Sequence, residues 1–163
     1  MARVLVVGCG GRGQALAEDL AHDGHAVRGT SRDPVNLAAI EASGAEGVQA
    51  DPDRLGTLMP HLAGVTVVCW LMGTADADEQ SVLALHTSRL ESLLAKLVDS
   101  GARGLVYEGA GSVPAAVLVA GGETTRAAGR GNRMPVAVTV DDPADHAAWL
   151  SGMRAAIDTV LAR

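Results

Sequence analysis

Aromatic residues are nearly missing from this sequence: its 163 residues include no Phe, one Tyr and two Trp. A core without large rings must be filled by aliphatic side chains, and 48% hydrophobic residues supply enough of them. Runs of Val, Leu and Ala suit strands buried on both faces, as in a parallel sheet. Positive charge is scarce too. The formal net charge is −6, which argues against general nucleic-acid binding, since that needs a basic field to release counterions. Long apolar runs are also absent: residues 65–72 and 113–120 fall far short of the ~20 residues that cross a bilayer. The N-terminal run Val4-Leu5-Val6-Val7 is too short for the core of a signal peptide, and no small-residue cleavage site follows it. The two cysteines, Cys9 and Cys69, lie far apart and make neither a metal pattern nor a redox pair. A cytoplasmic protein with two reduced thiols and no metal is expected, forming one domain over residues 1–163.

What is present is an alternation of strand and helix signals. Strands are expected at residues 3–7, 26–31, 47–50, 65–71, 104–108 and 136–140. Helices are expected at 14–22, 36–43, 54–62 and 79–100, the last with an apolar stripe at Leu83, Leu90, Leu93, Leu94 and Leu97. Between the last two strands, 114–120 and 123–130 read as two short helices. A final helix is expected to start at Asp142-Pro143 as N-cap and first residue, burying Leu150, Met153, Ile157 and Leu161. Six strands alternating with helices predict an α/β fold: a single doubly wound, mostly parallel six-stranded sheet in the order 3-2-1-4-5-6. Ligands of such sheets bind at the carboxyl ends of the strands, where the order reverses.

A glycine-rich turn falls at that switch point. In Gly8-Cys9-Gly10-Gly11-Arg12-Gly13, Gly8 permits the tight turn, Gly10 lets a pyrophosphate approach the backbone, and Gly13 lets the helix lie close on the sheet. The exposed N–H groups of the following helix would meet the phosphate oxygens. The turn follows an expected strand and opens an expected helix, the context that gives such a glycine pattern meaning.

The end of the second strand bears on the cofactor. A domain preferring NAD usually carries Asp or Glu there to hold the ribose hydroxyls. Here the segment is Gly29-Thr30-Ser31-Arg32-Asp33-Pro34. The hydroxyls of Thr30 and Ser31 can donate to a 2′-phosphate and Arg32 can pair with it, so NADP is expected over NAD. Arg12 would reach the same phosphate from the other side. An exposed loop role for Arg32 is the alternative, and Asp33 is expected to cap the turn at Pro34.

Taken together, Val4-Leu5-Val6-Val7-Gly8-Cys9-Gly10, Gly29-Thr30-Ser31-Arg32-Asp33-Pro34 and Ala50-Asp51-Pro52 resemble the atypical and extended short-chain dehydrogenase/reductases. The chain is especially similar to the NAD-dependent epimerase/dehydratase-like and NmrA-like members, over roughly residues 1–112. The resemblance implies that Asp51 contacts the adenine amino group, although a helix N-cap explains Asp51 equally well. It further implies that Leu71-Met72-Gly73 lines the cofactor and that Gly109-Ala110-Gly111-Ser112 lies beside the nicotinamide.

The catalytic pair of typical relatives, Tyr-x-x-x-Lys on one helix face, has no counterpart here: Tyr107 falls in the fifth strand and Lys96 precedes it. Few other acids or bases offer themselves. His86 lies on an apolar stripe and reads as a packed or interface residue. Glu108 would serve as an acid or base if buried but reads as partly solvated, Ser112 reads as a loop residue, and Asp141, Asp142 and Asp145 as caps rather than metal ligands. Trp70 and Trp149 read as core or interface anchors. Three functions remain open. The first is a small NADP-dependent oxidoreductase, and the second a non-catalytic NADP-binding redox sensor with a protein partner. The third, an S-adenosylmethionine methyltransferase, lacks the acidic strand end that would grip the ribose. A homodimer is a further expectation.

Overall fold

Apolar alternation along the first strand sets the plan of the molecule. Val4 and Val6 of Arg3–Val7 (β1) face one layer of aliphatic side chains, while Leu5 and Val7 face another. The computed structural model describes residues 2–163. Ala26–Ser31 (β2), Glu46–Gln49 (β3), Val67–Trp70 (β4), Gly104–Glu108 (β5) and Val136–Thr139 (β6) complete the sheet. All pairings are parallel, in the order β3-β2-β1-β4-β5-β6. This is the doubly wound α/β sheet that the sequence predicts.

Two helical layers cover it. Gly11–His22 (α1), Leu37–Ala42 (α2) and His146–Ala162 (α6) close one face through Leu16, Leu20, Ile40, Trp149, Met153 and Ile157. Glu79–His86 (α3) and Ser88–Val98 (α4) cover the other through Leu85, Leu90, Leu93 and Leu97, and Ala115–Asn132 (α5) lies beside them. No helix of the described residues is long and apolar enough to cross a membrane.

Several boundaries shift by one to three residues, α1 for instance beginning at Gly11 and β4 at Val67, and four differences have a local reason. The helix expected at 79–100 breaks at Thr87 (φ −127°, ψ −95°), whose hydroxyl donates back to the Leu83 carbonyl at 2.8 Å. The helix expected at 54–62 is replaced by two 3₁₀ turns, Leu55–Thr57 and Met59–Leu62, because Pro60 has no N–H to continue a helix. The two short helices expected before β6 are the single helix α5, which runs straight through Gly121-Gly122. A Cβ at Gly121 would overlap the Tyr107 hydroxyl, so the glycine there permits close packing instead of breaking the helix. The last helix starts at His146, not Pro143: Asp145 is its cap, accepting from the Ala148 N–H at 3.2 Å.

Candidate functional site

The glycine turn bridges β1 and α1. Gly8 adopts φ +84°, and a Cβ there would strike the Met72 side chain and the Leu71 carbonyl. Gly13 lies against Val6 and Cys9, which seats α1 closely on the sheet. Gly10 and Gly11 are different: a Cβ on either would meet nothing within 4 Å. Gly10 precedes the helix with no side-chain cap, and Gln14 is the first residue whose N–H returns to the Gly10 carbonyl, at 2.8 Å. The N–H groups of the first turn are thus left for an outside acceptor, with room in front of them. A diphosphate fits such a cradle.

A cleft of ≈ 430 Å³ opens over the turn, within the roughly 300–1,000 Å³ of small-molecule sites. Of the residues expected from sequence, Gly8, Gly10, Arg12, Gly13, Thr30, Ser31, Arg32, Asp51, Leu71 and Met72 line it together. Gly11, Gly73 and Gly109 are not among its lining residues. Gly11 opens α1 beside the cleft. Gly73 is buried beneath it, donating its N–H to Glu108 at 2.9 Å and accepting from Val113 at 3.0 Å. Gly109 turns towards β6, its N–H bonded to the Thr139 carbonyl at 2.9 Å.

On the β2 side, hydroxyls serve the chain itself. Thr30 Oγ1 accepts the Gly8 N–H at 3.2 Å and is buried, so it fastens the glycine turn to β2. Ser31 accepts from the Asp33 N–H and Asn36 Nδ2, while Asp33 caps the turn at Pro34 by accepting from Val35 at 2.9 Å. Asp51 closes a tight turn through the Asp53 N–H at 2.9 Å, and no helix starts at Arg54 for it to cap. Arg32 is exposed at the rim and makes no ion pair among the described residues.

The β5 side is built of buried side chains. Glu108 is fully buried, which corrects its reading as partly solvated, and four donor groups surround it. Arg12 donates from Nη2 to both carboxylate oxygens at 3.0 Å and from Nε at 3.3 Å. The Gly73 N–H and Trp149 Nε1 complete the set, the latter at 2.7 Å. The Arg12 guanidinium also stacks on the Trp149 ring, 5.5 Å from its centroid. Arg12 therefore points along the cleft towards β5, away from Arg32, and does not face a 2′-phosphate as the sequence led one to expect. Burial of a carboxylate demands such partners.

Deeper still, His86 bridges the Tyr107 hydroxyl (2.6 Å) and the Met72 carbonyl (2.9 Å). With the carbonyl accepting from Nε2–H, Nδ1 accepts the phenol proton. Burial lowers the His86 pKa and raises that of Tyr107. His86 is thus a packed residue, and Trp70 and Trp149 are both core residues. Burial also pushes the Cys9 thiol, under the glycine turn, up to about 12.

Sequence reading missed Asn36, Thr74, Asp76, Asp78, Ser81 and Leu85 as cleft residues. It also missed the Arg12–Glu108–Trp149 cluster. One signal was available: a lone carboxylate ends the otherwise apolar strand β5, in a sheet covered on both faces.

This turn, this strand order and a cleft at the switch point define a Rossmann-type nucleotide-binding domain. A family model described as NAD(P)H-binding matches residues 8–130, and the chain belongs to that NAD(P)H-binding family. Over 92 residues the chain is 38% identical to glycerol-3-phosphate dehydrogenase [NAD(P)+] of Pseudomonas fluorescens, a match covering 56% of this chain and 24% of that protein. The chain thus spans about a quarter of that relative's length. The solved structure of BdcA from E. coli superimposes with a TM-score of 0.71 at 16% identity, covering 94% of this chain and 88% of that one. Triphenylmethane reductase of Citrobacter sp., complexed with NADP(H), gives a TM-score of 0.61 at 18% identity, covering 83% and 48%. These structures establish the likeness of fold.

Proposed function

We propose that this chain binds NADP(H) in preference to NAD(H) and acts as a small oxidoreductase. When bound, the nicotinamide supplies the hydride, and the protein binds and orients it. Gly8, Gly10, Gly11 and Gly13 shape the diphosphate turn. Thr30, Ser31 and Arg32 stand by the adenosine ribose, Asp51 by the adenine, and Leu71 and Met72 form the floor between the two halves. The observation that carries the NADP preference is the rim of β2, where a serine replaces the usual carboxylate and the next residue is an exposed arginine without an ion-pair partner among the described residues. A guanidinium free of intramolecular pairing is suited to a phosphate monoester.

The test is a titration with NADPH and NADH, repeated on Arg32→Ala. NADPH affinity is expected to fall at least about tenfold (~1.4 kcal/mol), with NADH little changed. Equal weakening of both cofactors would remove the assigned role of Arg32.

A second reading, a cofactor-binding redox sensor without catalysis, draws support from Tyr107. The only tyrosine of the chain is fully buried and its hydroxyl is committed to His86, so it is not free to protonate a substrate. In that reading a partner protein recognises the cofactor's redox state. Steady oxidation of NADPH over a carbonyl and imine panel favours the enzyme. Tight binding without turnover, with a partner recovered in one redox state, favours the sensor. The methyltransferase alternative gains nothing from the NAD(P)H-binding family match.

A further inference from the structure

The cofactor reading leaves one cationic group of the cleft unused. Arg12 spends Nε and Nη2 on Glu108, whereas Nη1 has no hydrogen-bond partner among the described residues. Its side chain is 26% exposed, and the residue lines the cleft. The other edge of the guanidinium is fixed before any ligand arrives. Two carboxylate oxygens grip it from behind and the Trp149 ring supports its face. Glu108 is held in turn by the Gly73 N–H and Trp149 Nε1. A guanidinium held this way offers directed N–H donors with much of the ordering cost of binding already met.

Because Glu108 balances the charge, attraction over distance is weak and the value of Nη1 lies in geometry. The only other arginine or lysine lining the cleft is Arg32, at the end of β2. On the rim nearby, Asp76 is exposed and Asp78 is committed to Ser81, accepting from its N–H at 2.8 Å and its hydroxyl at 2.7 Å. A dinucleotide straddles the switch point, its diphosphate on the first turn of the helix. With the adenosine towards β2, its reactive half extends over β4 and β5. The direction of Arg12, towards β5, is therefore the direction in which a substrate would meet the cofactor.

We infer that the free Nη1 edge of Arg12 is a docking point for an oxyanion, the carboxylate or phosphate group of the substrate, with Glu108 the positioning residue that aims it. The inference rests on the proposed cofactor site, and names the class of substrate for it: a small molecule bearing a carboxylate or phosphate. The same donors suit the cofactor's own diphosphate, so the experiment separates the two sources.

Inorganic phosphate, and separately acetate, are titrated by calorimetry into protein saturated with NADPH. The parent complex is expected to bind one equivalent. Arg12→Gln and Arg12→Lys are expected to weaken that binding at least about tenfold while NADPH affinity moves less than about threefold. The lysine keeps a cation for Glu108 but has no second edge, so it stands in if the glutamine variant does not fold. Glu108→Gln is expected to weaken the anion with the same split between anion and NADPH affinities, which general loosening of the fold would not give.

Absence of anion binding by the parent complex, or equal affinity in the Arg12 variants, overturns the inference. A parallel loss of NADPH affinity overturns it as well and assigns Arg12 to the diphosphate. If the parent protein takes up neither NADPH nor NADH, the cofactor reading itself fails. The anion titration is then made on the free protein, where dependence on Arg12 still decides the matter.

Discussion

The two sides of the cleft are built in opposite ways. On the β2 side the chain presents backbone, glycines and short hydroxyl side chains, and its one arginine, Arg32, is exposed. On the β5 side the polar groups are bonded to one another and, apart from the half-buried Arg12, buried: Arg12, Glu108, Trp149 and Gly73 form one cluster, His86, Tyr107 and Met72 another. The first arrangement uses its hydroxyls to brace the chain and leaves the N–H groups of the glycine turn and the Arg32 guanidinium for a ligand. The second fixes three secondary elements against the sheet and leaves a single guanidinium edge open. A Rossmann cleft of this kind can hold its invariant part, the dinucleotide, with main-chain groups, while a side-chain framework shapes the other half.

Substitutions on the two sides should therefore behave differently, and the largest effect is expected at Glu108. Glu108→Ala leaves Trp149 Nε1 and the Gly73 N–H without their acceptor and a mostly buried guanidinium without its counter-charge. A loss of about 3–4 kcal/mol is expected in urea unfolding, in the range for breaking a buried pair. A loss below about 1 kcal/mol would mean that the cluster contributes little beyond a surface pair.

At Gly8 the expected cost is smaller, about 1–3 kcal/mol for Gly8→Ala, since the residue must hold φ +84° and its new methyl meets Met72 and Leu71. Unchanged unfolding would show that the turn adopts another backbone path.

The smallest effect concerns pH. Burial keeps His86 below its ordinary value of 6.5, so the folded chain resists a proton that the unfolded chain accepts. Its contribution is intact above about pH 6.5 and is lost as the pH falls below it, towards the folded value. The fall in stability between pH 7 and 5 should be shallower in His86→Asn than in the parent protein. Identical slopes would place the titration elsewhere.

The same contrast explains what the sequence revealed and what it hid. The β2 side was legible because its signals are local: a strand, a glycine turn and a helix in succession, then Ser31 and Arg32 at a second strand end. The strand order followed from alternation and handed crossovers. The β5 side depends on contacts between distant residues. Arg12 meets Glu108 across 96 positions and Trp149 meets Glu108 across 41, and no local pattern marks such pairs. For that reason the sequence points Arg12 at a 2′-phosphate and leaves Glu108 partly solvated, whereas the structure pairs the two. Gly121-Gly122 misled in the same way, because their packing against Tyr107 and Val138 is visible only once α5 is laid on the sheet. The break at Thr87 likewise depends on context, since His86 beside it reaches inward to Tyr107.

Gly10 gives the most direct test of the claim that the first turn of α1 receives a diphosphate. It has φ −81° and ψ −157°, which ordinary residues adopt, and a Cβ there touches nothing in the protein. Gly10→Val should stay folded, losing no more than about 1 kcal/mol in urea unfolding because valine caps a helix less well than glycine, while NADPH and NADH both lose at least about tenfold in affinity because the side chain fills the space before the N–H groups. A Gly10→Val protein that folds normally and binds both cofactors as well as the parent would contradict the account.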